Sequence, residues 1–181
     1  MDKTGSKHGI RNTLQQVAEH FGDVVPNLYR TLANNPAALD GFVQLEGILE
    51  HSGCLPRDEQ AIVALVVAAH TDCLYCQRVL SLEADEAGVT DHDVQTIVNK
   101  QTVRHPRYAV LVDATLRIMQ KHGRLGHAER ALLEERGVAF EQMLEIITII
   151  STYSLATYAN NLAQTRIDPE YRETPTSGSG E

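Results

Sequence analysis

Pro56-Arg-Asp-Glu-Gln-Ala-Ile-Val-Ala-Leu-Val-Val-Ala-Ala-His70-Thr-Asp-Cys73-Leu-Tyr-Cys76 is the stretch whose reading decides the fold. Pro56 stands at an N1-like position, where its missing N–H costs nothing, and Asp58 and Glu59 complement the positive end of the helix dipole. The run from Ala61 to Ala69 is apolar around its whole circumference, so this helix must be buried on every side. A bend at Thr71 and Asp72 then starts a second helix that carries Cys73 and Cys76 on its first turn. Unpaired backbone N–H groups at a helix start favour a thiolate.

Outward from this pair, every segment reads as helix with Gly or Pro punctuation, and no run has strand periodicity. Asn12 to Gly22 puts Leu14, Val17, Ala18 and Phe21 on one face. Pro26 opens a short helix and Pro36 a longer one to about His51. The thiol helix runs to Gly88, which fits a C′ position, and Thr90-Asp-His-Asp starts another that ends near Lys100. Pro106 begins a helix that ends at Gly123, Gly126 to Gly137 reads as a charged surface helix, and Phe140 to Ala163 is long and apolar near its middle. The expected architecture is all-α, a single-domain bundle of about eight to nine helices over residues 12–170. Residues 1–11 are expected to be flexible, and the polar 171–181 tail disordered.

With 181 residues, 43% of them hydrophobic, the chain can bury one substantial core. A net charge of -8 and the lack of any Lys/Arg cluster argue against a nucleic-acid partner. No run of about 18 apolar residues spans a bilayer and the N-terminus lacks a signal-peptide pattern, so no membrane is expected and the location reads as cytoplasmic. Three cysteines make a poor disulfide framework. In a reducing compartment a C-x-x-C is more often catalytic or metal-binding than structural.

The first chemical reading of Cys73 and Cys76 is therefore redox: one thiol attacks an oxidised substrate and the other resolves the intermediate as a disulfide. The dipole argument makes Cys73 the more acidic of the two. A metal site on His70, Cys73 and Cys76 would need a further ligand from Asp72 or a partner subunit, so neither metal nor cofactor is expected. His70 is the nearest base in sequence, and its alternative is a solvated histidine. As a direct base, its loss should slow thiol chemistry on the order of 10²-fold. Cys54 reads as a small buried apolar residue, and Tyr75 and Tyr153 as core. His8, His20, His51, His92, His105, His122 and His127 share no spacing and read as surface residues.

The motif Pro56-Arg-Asp-Glu, the apolar run from Ile62 and Cys73-Leu-Tyr-Cys76 resemble the core of the carboxymuconolactone decarboxylase and alkylhydroperoxidase D (AhpD-like) superfamily. Val25-Pro-Asn-Leu-Tyr-Arg-Thr-Leu-Ala and the segments around Glu141 and Asn161 agree, so the resemblance spans residues 21–169. It implies an all-α fold assembled into trimers or hexamers. It further implies a C-x-x-C that reduces organic hydroperoxides or disulfides with electrons from a dithiol partner, and Cys76 as the attacking thiol. This sequence departs from that branch at two positions. Ala61 stands where the branch has a glutamate and Leu80 where it has a histidine, so both relay groups are missing and His70 is the provisional replacement. A non-catalytic oligomer and a decarboxylase-type enzyme acting on a small lactone are the alternative readings.

Overall fold

The computed structural model describes residues 3–171, with side chains from Gly9 onward. Among the described residues there are nine α-helices and no strand. They are α1 (Lys3–His20), α2 (Asn27–Leu32), α3 (Pro36–Ser52), α4 (Arg57–His70), α5 (Leu74–Glu86), α6 (Asp91–Val98), α7 (Pro106–Lys121), α8 (His127–Glu135) and α9 (Phe140–Ala163), followed by a 3-10 turn at Pro169–Tyr171. The fold is thus the all-α bundle that the periodicity implies.

The helix α4 is the axle of this bundle. Residues Ile62 to Ala69 are all buried, and α5, α6, α7 and α9 pack around them. Each buried Val, Leu or Ile here contributes about 1.5–3 kcal/mol of hydrophobic stabilisation. At its N-terminus, Arg107 grips Glu59 through Nε and Nη2 at 2.8 and 2.6 Å, and the Tyr108 hydroxyl donates to Asp58 at 2.9 Å. These two carboxylates therefore tie α4 to α7 as well as complementing the dipole.

Local chemistry sets most boundaries. The Asn35 side chain accepts from the N–H groups of Ala37 and Ala38, with Pro36 opening α3. Thr90 caps α6 through the Asp93 N–H, and Gly88 follows α5 at φ +91. Three boundaries differ from the sequence expectation. Pro56 and Cys73 are N-cap residues, one position outside their helices. The first helix starts at Lys3 and not near Asn12, within the stretch read as flexible. No proline lies before Pro26, and extending a nucleated helix costs little. Of the tail read as disordered, Tyr171 closes the 3-10 turn, and 172–181 lie outside the described residues.

Two buried carboxylates tie the loops down. Asp168 accepts from the Asn27 N–H at 3.1 Å and from the Tyr75 hydroxyl at 2.7 Å, which docks the chain after α9 against α2 and α5. Glu145 on α9 accepts from the N–H groups of Cys54 and Leu55 and from Gln60 Nε2. That clamp turns Leu55 inward and leaves Cys54 on the surface, so the expectation of a buried Cys54 is corrected. No helix among the described residues is long and apolar enough to cross a membrane.

Candidate functional site

A Schellman motif at the end of α4 builds the thiol site. Asp72 takes a left-handed conformation at φ 51, its N–H bonds to the Ala69 carbonyl, and the Cys73 N–H bonds to Ala68 at 3.1 Å. An aspartate accepts that backbone more readily than most residues, and Lys100 holds its carboxylate at 2.6 Å. The turn folds α5 back along α4 and leaves Cys73 as the N-cap of α5. Asn161 Nδ2 braces the same turn by donating to the Thr71 carbonyl at 2.9 Å.

Both thiols are unbridged and shielded, Cys73 being 1% and Cys76 3% exposed. The two thiols lie next to one another at the start of α5, and each acts on the acidity of the other in the opposite sense. Cys73, stabilised first by the Cys76 S–H and then by the N–H groups of Cys76 and Tyr75 at the start of α5, is lowered to about 7. Those N–H groups face the sulfur without forming a full capping bond. Cys76 is pushed upward, because it donates to Cys73 and is desolvated. Buried Asn160 on α9 donates through Nδ2 to the Cys76 sulfur at 3.3 Å and counters part of that rise. Its Oδ1 is buried without a hydrogen-bond partner.

His70 is the last residue of α4 and is exposed. Its Nδ1 lies 3.0 Å from the Val66 carbonyl, which fixes the ring to its own helix. Neither thiol is among its bonds, so a proton passing between His70 and the pair must travel through solvent or a moving side chain. The other histidines read as surface residues are exposed where their side chains are described, and the side chain of His8 lies outside that range. Among the described residues no group of three or more His, Cys, Asp or Glu is placed to hold a metal ion.

Cys76, Leu80 and Glu83 follow one face of α5 and border a small chamber of about 30 Å³. A second cavity of about 360 Å³, between α1, α3, α4, α5 and α9, shares Phe21, Tyr29, Glu46, Glu83 and Tyr153 with that chamber. Ala61, where the resemblance implies a glutamate, lines the larger cavity. Desolvation pushes Glu46 up to about 8 and Glu83 up to about 7. The Tyr29 hydroxyl donates to Glu46 at 2.8 Å and opposes part of the Glu46 rise. The sequence reading missed Asn160, Glu46 and Glu83. A signal existed for Glu46, since it continues the buried stripe of Leu39, Phe42 and Leu49 at helical spacing.

These carboxyls make stability depend on pH. Both keep a proton in the folded chain over a range where the unfolded chain, with a value near 4.5, has released it. Stability is therefore expected to fall as pH rises from the unfolded value to about 8 and to level off above it. Glu83→Gln should flatten that fall and add ~1 kcal/mol at pH 8, allowing for partial exposure. Urea unfolding at pH 5 and pH 8 measures it, and identical slopes in the two proteins would contradict the assignment.

Residues 36–105 match the Carboxymuconolactone decarboxylase family. No curated protein matches the chain. Among solved structures, a peroxidase-related protein with an alkylhydroperoxidase AhpD core from Ralstonia eutropha JMP134 superposes with TM-score 0.79 at 21% identity, covering 93% of this chain and 90% of that one. A peroxidase-related protein from Silicibacter sp. TM1040 gives 0.74 at 17%, covering 91% and 87%. A cysteine-to-alanine form of the debrominase Bmp8, in complex with 2,3,4-tribromopyrrole, gives 0.68 at 17%, covering 95% and 91%. The family match is confined to residues 36–105, and the described chain shares the all-α fold of these AhpD-like structures.

Proposed function

We propose that this chain is a cytoplasmic thiol oxidoreductase of the AhpD-like kind, in which Cys73 and Cys76 reduce organic hydroperoxides or disulfides and a dithiol protein restores them. The observation that carries this reading is the buried pair of neighbouring thiols, with Cys73 at the N-cap of α5 and Cys76 lining a cavity. In the peroxide cycle, the Cys73 thiolate takes the proton of Cys76 while the Cys76 sulfur attacks the terminal peroxide oxygen. The O–O bond breaks, an alcohol leaves with a proton from solvent or Glu83, and Cys76 becomes a sulfenic acid. Cys73 then attacks that sulfur, forming the disulfide and releasing water. One hydroperoxide and two thiols thus give one alcohol, one disulfide and one water. Asn160 supports the step by donating to Cys76 as its charge develops.

Hydroperoxide consumption with a small dithiol as reductant tests this reading. Cysteine-dependent turnover is the expected result. Absence of any turnover would favour a non-catalytic oligomer, and lactone decarboxylation or isomerisation without the thiols would favour the decarboxylase-type alternative.

His70 belongs to this reading as the group that exchanges protons with solvent at the edge of the site. Held by Val66 and outside contact with either sulfur, it is expected to contribute less than direct-base chemistry would. His70→Ala should lower kcat/KM by less than about 10-fold and leave Tm unchanged. A loss on the order of 10²-fold would return His70 to the role of direct base.

We also propose that the protein is a homo-oligomer, a trimer or hexamer. Phe140, Leu144, Ile147, Tyr158 and Leu162 form one exposed stripe along α9, with Tyr158 64% and Leu162 89% accessible. The stripe runs for roughly 33 Å at the helical rise. Sedimentation of dilute protein should show an assembly, and Leu144→Glu with Leu162→Glu should dissociate it. A wild-type particle of one chain's mass would contradict it.

A further inference from the structure

The larger cavity and the thiol chamber share a collar made by the carboxyls of Glu46 and Glu83 and the rings of Phe21, Tyr29 and Tyr153. Cys76 is only 3% exposed and its chamber adjoins the larger cavity at this collar, so a small molecule entering by the cavity meets the collar before the sulfur. We propose that the cavity is the substrate's route to Cys76, and that its collar admits uncharged and cationic small molecules while rejecting anionic ones. The proposal rests on the reading of Cys73 and Cys76 as a redox pair and adds the chemical class of its substrate.

The charge balance of the walls supports it. Glu50 and Glu86 add two carboxyls nearer the mouth, against which stand Arg57 and His20. Arg57 is already engaged with Glu50 at 3.9 Å, and both are well exposed to solvent. An anion in the cavity would thus meet an excess of carboxyl groups with little cationic compensation, in a setting where desolvation strengthens the repulsion. The remaining walls set the apolar Val17, Val43, Leu49 and Ile149 beside the uncharged Gln16 and Gln60, and the volume is suited to a small ligand. An apolar hydroperoxide without a carboxylate fits these walls, whereas a fatty-acid hydroperoxide carries its charge against them. Glu46 and Glu83 also hold protons near neutral pH, so discrimination should strengthen from pH 6.5 to pH 8.5.

Three methanethiosulfonate reagents, neutral, cationic and anionic, test the route without depending on turnover. Each converts a thiol to a mixed disulfide with release of methanesulfinate. The full-length Cys73→Ser protein is used so that no neighbour displaces the label. Labelling of Cys76 is followed by peptide mass, relative to exposed Cys54 and to a free small thiol. At pH 8.5 the anionic reagent is expected to label Cys76 at least 10-fold more slowly than the neutral one, after correction for the free-thiol rates. Glu46→Gln with Glu83→Gln should remove most of that difference. Ala61→Leu, which narrows the cavity, should slow all three reagents at Cys76 and none at Cys54. Equal corrected rates for the three reagents, or an unaffected Cys76 in Ala61→Leu, would overturn the proposal. Charge-selective labelling without hydroperoxide turnover would instead support the route and remove the redox reading.

Discussion

Cys76→Ser is expected to lower hydroperoxide turnover by at least about 10³-fold, because the sulfur that forms the sulfenic acid is replaced by a hydroxyl with no comparable nucleophilicity. Cys73→Ser should act differently. It leaves a sulfur at the cavity but removes both the acceptor of the Cys76 proton and the resolving thiol. A single turnover should then stop at the Cys76 sulfenic acid, trapped by a dimedone-type reagent. Asn160→Leu should keep both thiols and raise the Cys76 pKa further, since it removes the donor at 3.3 Å. Steady-state rates, with far-ultraviolet circular dichroism to confirm folding, separate these outcomes. Equal residual activity in both cysteine variants would contradict the assignment of attacking and resolving roles.

The largest stability effect is expected at Gly53. A Cβ there would lie 2.4 Å from Gln60 Nε2, 2.5 Å from Glu145 Oε1 and 2.7 Å from the Leu49 carbonyl. Its φ is −66, so the constraint is space and not backbone conformation. Two of these neighbours belong to the clamp that satisfies the N–H groups of Cys54 and Leu55, and the third is backbone. Gly53→Ala must therefore displace a hydrogen-bonded network or the end of α3, at a cost of about 2–4 kcal/mol. Urea unfolding should show the midpoint fall with an unchanged slope. A change within 0.5 kcal/mol, the range of an ordinary surface substitution, would contradict the account.

The parts of the fold that were legible in the sequence follow from patterns that only one packing satisfies. A helix apolar all round, such as Ile62 to Ala69, has no place except the centre. The long helix Phe140–Ala163 was bounded by its composition, and Pro36, Pro106 and Gly88 marked ends that local sterics impose. The C-x-x-C was legible for the same reason, since its position at a helix start is local. Less legible were features set by distant partners. Cys54 looked like a core residue until Glu145 claimed the N–H groups of its loop. Asn160 looked like one polar residue among many in a long helix, and its role depends on the packing of α9 against α5. Glu83 drew no reading from the sequence because its burial is created by α1, α2 and α9 closing over it, whereas Glu46 at least continues a buried helical stripe.

The same contrast explains the proton chemistry. Sequence proximity pointed to His70, and the chain's turn at Asp72 directs both thiols inward while His70 stays at the helix surface. The groups that the fold itself moves toward neutral pH are Cys73, Glu46 and Glu83. Of these, Glu83 shares its helix face with Cys76, two turns away. The vacant relay positions Ala61 and Leu80 border the two cavities that this carboxyl joins.

The most direct measurement of the central claim is peptide mapping after one equivalent of an uncharged organic hydroperoxide is added to the reduced full-length protein. The account predicts one Cys73–Cys76 disulfide per chain and one equivalent of alcohol, with Cys54 still free and the disulfide reversed by a dithiol. Recovery of Cys73 and Cys76 as free thiols with the hydroperoxide unconsumed, or a bridge from either to Cys54, would contradict it.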